Sequence, residues 1–300
     1  MGRWAACSRQ GKRNAAHCST GRKSDWLFER FIDGLSIDKV PDMDTRGSPA
    51  PSALRLAAGG ELQFHPARRA LGGRTRALLL WLPGGGFTGD LPAASLASPA
   101  LLAQAGADTV VLTYPRPPRD PFPAGLSVAF EALNALAHQP GRWTAGAPAA
   151  LFVGGEDAGG NLAAALALMA RDQLGPTLAG QVLALPMLDP RLGSASMRRA
   201  ACGDLSCPYT QGWKAYLGDD ARTDHPYAVP LHASRLAGLA PTLILARADH
   251  PLADESRRYG AALRAQGSPA WEAMLDDSAG TQAESTLHSF LCEATKLSEG

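Results

Sequence analysis

From Ala53 to Gly300 the chain alternates short, unbroken apolar runs with longer stretches of helical spacing, and this rhythm restricts its fold more than any other feature. Runs such as Ala77-Leu78-Leu79-Leu80-Trp81-Leu82 and Ala150-Leu151-Phe152-Val153 lack the polar alternation of a strand with one wet face, so both faces must be covered. The expected strands are Ala53–Leu56, Glu61–His65, Arg76–Leu82, Asp108–Tyr114, Ala149–Gly154, Gly180–Pro186, Pro241–Ala246 and Ala270–Leu275. Helical spacing is read over Leu91–Ala105, Ala124–Ala137, Gly160–Gln173, Ala253–Gln266 and Ala283–Lys296. Such repetition predicts an α/β fold, a mostly parallel, doubly wound sheet of about eight strands with helices on both faces. The segment 191–239 carries Pro208, Trp213 and Tyr216 but only one modest helix. It reads as a small cap or loop insertion over the carboxyl ends of the strands, where such sheets keep their sites.

Residues 1–50 differ in kind from 51–300. Arg3, Arg9, Lys12, Arg13, Arg22 and Lys23 all precede the first acidic residue, Asp25, which predicts a mobile basic tail. Within it Trp26, Leu27, Phe28, Phe31 and Ile32 share one helical face, a candidate lid helix. Over the whole chain 29 basic residues meet 28 acidic ones for a net charge of +1, and aromatics are 6%, so no nucleic-acid partner is expected. No apolar run approaches the ~20 residues of a membrane span. Five scattered cysteines, an odd number, and no secretory apolar stretch point to reduced thiols in a cytoplasmic protein. Cys202 and Cys207 lie close together, but no second Cys or His pair stands at zinc spacing, so neither metal nor cofactor is expected. Nothing in the sequence fixes the oligomeric state; a homo-oligomer is compatible with it.

Two glycine clusters follow expected strands directly. One is Leu82-Pro83-Gly84-Gly85-Gly86-Phe87; the other, Gly154-Gly155-Glu156-Asp157-Ala158-Gly159-Gly160-Asn161-Leu162, runs straight into a helix. A strand that turns abruptly into a helix with glycine on both sides presents the intervening residue, Asp157, at a helix N-terminus where backbone N–H groups gather. The consecutive glycines after the earlier strand offer further unobstructed amides. Gly84, Gly85 and Ala158 are therefore the expected donors of an oxyanion hole.

These strings resemble the hormone-sensitive-lipase-type α/β hydrolases, the bacterial family IV esterases. Gly155 to Leu162 is similar to that family's elbow G-[DE]-S-A-G-G-N-L, and Pro83-Gly84-Gly85-Gly86-Phe87 to its HGGGF. Tyr114 through Ala124 resembles its Y-x-L-A-P-E-x-P-F-P-A, and Leu185–Pro190, Trp213–Gly218 and Pro251–Glu255 are further familial strings. The resemblance implies an α/β-hydrolase fold and a small hydrophobic substrate or ligand, an ester or related electrophile. It also exposes departures. Asp157 stands at the position of the nucleophilic Ser and Pro83 at that of the oxyanion-motif His. The acidic triad position falls on His250 beside Asp249; the triad His position falls near Gly280, eight residues before His288.

Asp157 admits several readings. A carboxylate is ionised at neutral pH and needs no base to attack, as in the Asp nucleophiles of haloalkane dehalogenases and epoxide hydrolases, an analogy of fold alone. His288 would then activate water, with Asp249 orienting it. Alternatively Asp157 is a general base, or an N-cap, where Asp is among the preferred residues. An anion facing several N–H groups accepts their bonds itself and attacks less readily. The chain is thus either a hydrolase with an altered nucleophile or a non-catalytic ligand-binding member with its pocket retained.

Overall fold

The computed structural model describes residues 53–68, 77–89, 96–144, 150–200, 206–218, 225–276 and 279–299. The basic tail and the candidate lid helix lie outside the described residues.

Eight strands form one sheet: β1 (Ala53–Arg55), β2 (Glu61–His65), β3 (Ala77–Leu82), β4 (Ala107–Thr113), β5 (Ala150–Glu156), β6 (Gly180–Ala184), β7 (Thr242–Arg247) and β8 (Ala270–Leu275). Their order is β1-β2-β4-β3-β5-β6-β7-β8. β2 runs antiparallel to both neighbours, and every other pairing is parallel. The described helices are α1 (Pro99–Gln104), α2 (Ala124–His138), α3 (Ala158–Asp172), α4 (Ala195–Arg199), α5 (Pro208–Leu217), α6 (Ala253–Ala265) and α7 (Ala279–Glu299). α2 packs beside α3 and α1 beside α7. This is the mostly parallel eight-stranded α/β-hydrolase sheet that the sequence implied. No described helix is long and apolar enough to cross a membrane.

The unbroken apolar runs have the physical cause expected of them. All six residues of β3 are buried, and Leu78, Leu79, Leu80 and Leu82 have no exposed surface, each worth about 1.5–3 kcal/mol of transfer free energy. α3 is buried from Ala158 to Ala170; its alanines and glycines let it lie close against β3, β5 and β6.

Boundaries differ from expectation where glycine and proline decide them. β5 runs two residues further, because Gly155 and Glu156 stay paired with Leu183 and Ala184 of β6. β6 stops at Ala184, two residues before Pro186, which has no N–H for a ladder. The described helix before β4 starts only at Pro99, with Ser98 Oγ accepting from Leu101 N at 3.3 Å. The described residues of segment 191–239 hold two α-helices where one was expected. Ser194 caps the short α4 (Oγ to Met197 N, 3.1 Å), and Pro208 begins α5 in the first-turn position that lacks an N–H partner in any case.

Candidate active site

The elbow is built from β5 and α3 with Asp157 between them. Its φ of 53° and ψ of −117° are left-handed values that cost a non-glycine residue about 1–3 kcal/mol unless its surroundings hold them. Here they do. Asp157 N donates to Ala184 O at 2.9 Å and Met187 N donates to Asp157 O at 3.0 Å. Asn161 Nδ2 donates to Met187 O (3.0 Å) and Ala228 O (3.2 Å), tying the first turn of α3 to the β6 loop and to segment 191–239. Asp157 holds the N-cap position of α3 as expected, but its side chain makes no capping bond to that helix. It points to the glycine loop instead.

There Gly85 N and Gly86 N both donate to Asp157 Oδ2, at 3.0 and 2.6 Å. The loop's donors are thus Gly85 and Gly86, where Gly84 and Gly85 were expected. Gly84 lies against the aspartate; a Cβ there would sit 3.0 Å from Asp157 Cβ. The Ala158 amide also favours the ionised carboxylate. Oδ1 is buried and accepts no hydrogen bond among the described residues. Burial raises the Asp157 pKa above the usual carboxylate range; the amides of Gly86, Gly85 and Ala158 and the charge of Arg116 oppose that shift without cancelling it. Tyr114 OH donates to Pro83 O at 2.7 Å, and burial pushes that phenol up to about 12. α5 sits directly on the loop, since a Cβ at Gly212 would come 2.0 Å from Gly86 O. Phe87 stacks on Tyr216 of α5 at 3.9 Å between ring centres, with Trp213 at 5.0 Å.

A sharp strand–helix elbow under a glycine amide loop, on an eight-stranded sheet of this order, is matched by the alpha/beta hydrolase fold family over residues 79–277. The chain belongs to this family. Within the family it is similar to proteins named as carboxylic ester hydrolases. It is 36% identical over 214 residues to the carboxylic ester hydrolase LipN of Mycobacterium tuberculosis, covering 68% of this chain and 57% of LipN. It is 32% identical over 165 residues to the gibberellin receptor GID1 of Oryza sativa subsp. japonica, covering 53% of this chain and 46% of the receptor. The matched stretch thus spans less than two thirds of either relative. Among solved structures a bacterial heroin esterase superimposes with a TM-score of 0.68, covering 91% of this chain and 90% of that one at 24% identity, a likeness of fold.

The other site residues expected in this α/β hydrolase disperse. His288 Nδ1 lies 3.0 Å from Ala105 O, and its Nε2 faces Cys292 Sγ at 3.7 Å. Ala105 stands just before the first residue of β4, at the amino edge of the parallel strands, whereas Asp157 follows the last residue of β5 at the carboxyl edge. The two are separated by the length of a strand, about 20 Å for six or seven residues. The water-activating role given to His288 is therefore corrected: burial of Leu287, Phe290 and Leu291 fixes α7 with His288 at the far edge. Asp249 and His250 do follow β7 on the correct edge, but neither is a hydrogen-bond partner of Asp157. The exposed Asp249 carboxylate chelates Arg247 (3.1 and 3.0 Å), and this pairing lowers its pKa. His250 Nδ1 accepts from Leu252 N at 3.3 Å, and burial lowers the ring to about 4, so it is neutral at pH 7.

Sequence reasoning gave Arg116 no role, set Tyr114 and Glu255 only within familial strings, and named Gly84 and Gly85 ahead of Gly86 as donors. Glu255 has no exposed surface, and its Oε2 accepts from Leu188 N (2.6 Å) and Asp189 N (2.8 Å), shaping the loop after β6. Burial pushes it up to about 8 from 4.5. With a folded pKa above the unfolded one, its stabilising contribution is complete below about pH 4.5 and lost as pH rises through about 8. The melting temperature is therefore expected to fall between about pH 4.5 and 8, with Glu255→Gln flattening that slope in a pH series of melts.

Proposed function

We propose that the site binds a small apolar carboxylic ester or related acyl compound and turns it over far more slowly than a serine carboxylesterase. One observation carries this reading: both glycine-loop amides are occupied by Asp157 Oδ2. An acyl oxygen arriving at the elbow finds the cradle filled by the protein's own anion. Removing a single oxyanion donor costs an acyl-transfer enzyme about 10²–10³-fold in kcat, and here two are engaged at once. No imidazole among the described residues is a hydrogen-bond partner of Asp157, which leaves proton transfer to the carboxyl group. The likeness to a protein named as a gibberellin receptor supports a ligand-binding role for this site.

p-Nitrophenyl butyrate is the test substrate. The wild type is expected to stay within about 10³-fold of the spontaneous rate, while the non-hydrolysable ketone analogue raises the melting temperature. Asp157→Ser clears the cradle but supplies no base, so it is expected to stay at least ~10³-fold below an intact triad. A fast wild-type reaction abolished by Asp157→Asn would overturn the proposal.

A second reading has its own support in the buried, unpartnered Asp157 Oδ1. That atom would displace halide from a primary alkyl halide, forming the Cγ–O–alkyl ester as the carbon–halogen bond breaks. With no base hydrogen-bonded to Asp157 among the described residues, the ester would persist as a mass increase on Asp157, which intact-protein mass spectrometry reads directly.

A further inference from the structure

Arg116 stands at the third position of Tyr114-Pro115-Arg116-Pro117-Pro118, where the family string has Leu. Its Nη1 donates to Gly84 O at 2.9 Å. Gly84 O and Gly85 N belong to one peptide group, and Gly85 N donates to Asp157 Oδ2 at 3.0 Å. The guanidinium and the carboxylate thus hold opposite ends of the same peptide. Such chains of hydrogen bonds polarise one another, more so in a low-dielectric surrounding. The loop is shaped around the arginine. A Cβ at Gly85 would meet Nη1 at 2.7 Å and one at Gly89 would meet it at 3.4 Å, while the turn is closed by Gly89 N donating to Gly85 O at 2.7 Å. Below it the guanidinium carbon lies 5.0 Å from the centre of the Tyr114 ring. No carboxylate among the described residues forms an ion pair with Arg116; its neighbours Arg119 and Asp120 pair with each other at 3.6 Å.

We infer that Arg116 is the positioning residue of the cradle and the counter-charge of Asp157. It anchors the Gly84 carbonyl so that the Gly85 N–H faces the carboxylate, and the two charges stabilise each other across that peptide. Ser-to-Asp at the elbow and Leu-to-Arg two residues past Tyr114 then form one unit, a built pair. The inference goes beyond the ester-binding reading and does not depend on it, because it concerns what holds Asp157 whether or not a ligand is turned over.

The test is a double-mutant cycle of Arg116→Met and Asp157→Asn, read as melting temperature from pH 5 to 8. Arg116→Met is expected to lower the melting temperature by about 3–6 °C at pH 8 with Asp157 present, and by less than half as much in the Asp157→Asn background. The loss should also grow with pH, since removing the cation leaves the ionised carboxylate without its partner. Other groups around the pair are Tyr114 and Tyr216, both raised well above this window by burial, and Glu156, Arg119 and Asp120. They are common to all four proteins and cancel in the cycle. Arg116→Lys, which keeps charge but not the planar fork, should recover part of the loss; if Arg116→Met fails to accumulate, the same cycle is run with Arg116→Lys. Equal, pH-independent losses in both backgrounds would reduce Arg116 to packing and overturn the inference. Ester-binding measurements on the same variants are scored separately, so failure of one reading does not decide the other.

Discussion

Gly159→Ala should cost more than 4 kcal/mol and lower the melting temperature by about 10 °C or leave no folded protein at all. A Cβ at Gly159 would lie 1.9 Å from Leu82 O and 2.7 Å from Pro83 O. Both are backbone atoms, at the end of β3 where the glycine loop begins, and neither can rotate away. The first turn of α3 must therefore retreat from β3 by more than an ångström. That movement breaks the close approach bringing Asp157 beneath Gly85 and Gly86, so surviving protein should also lose the cradle geometry. Gly141→Ala is the control: a Cβ there meets nothing within 4 Å, and its melting temperature should stay within about 1 °C of wild type. A Gly159→Ala protein melting within about 2 °C of wild type would show that the close packing of elbow on strand is not what fixes the site.

The same glycines explain which parts of the molecule were legible in the sequence. Continuous runs such as Ala77–Leu82 and Leu151–Val153 announce doubly covered strands because burial on both faces excludes polar alternation. The elbow was legible because a strand can pass into a helix without a loop only where glycine permits backbone contacts as close as those of Gly155 and Gly159. The far ends of side chains were not. His288 lies in a Leu-His-Ser-Phe string like that of a catalytic histidine, yet its place was settled by which face of α7 is apolar, and that face carries it to Ala105. Arg116 gave no signal alone, since its role exists only through a carbonyl 32 positions earlier in the chain. Likewise the choice of Gly85 and Gly86 over Gly84 depends on peptide orientation. Gly85 and Gly86 take φ of 115° and 61°, and three consecutive glycines leave that choice open.

Asp157→Asn should raise the melting temperature at neutral and alkaline pH, by about 2–4 °C for each kcal/mol gained, and should make no difference below about pH 4. Burial lifts the Asp157 pKa above its unfolded value of 3.8, so the folded state binds the proton more tightly than the unfolded chain does. The sign follows: this carboxyl stabilises the fold fully below pH 3.8, and its contribution is lost as pH rises through the folded pKa. An asparagine resembles the protonated acid. Its carbonyl oxygen still accepts from Gly85 and Gly86, and no buried charge remains to be desolvated. The amide stays neutral as pH rises, so over a pH 4–8 series the gap between the two proteins should open and then level off once pH has passed the folded pKa of Asp157. Glu255 and His250 titrate near the ends of that range but contribute the same slope to both proteins, so the difference isolates Asp157. Parallel curves, or a variant less stable throughout, would mean that the two amides outweigh the burial of the charge. A widening gap would instead mark Asp157 as a residue that costs stability where it sits, as groups at functional sites commonly do. Together with the Arg116 cycle, it would separate an aspartate merely tolerated at the elbow from one built into it as a charge.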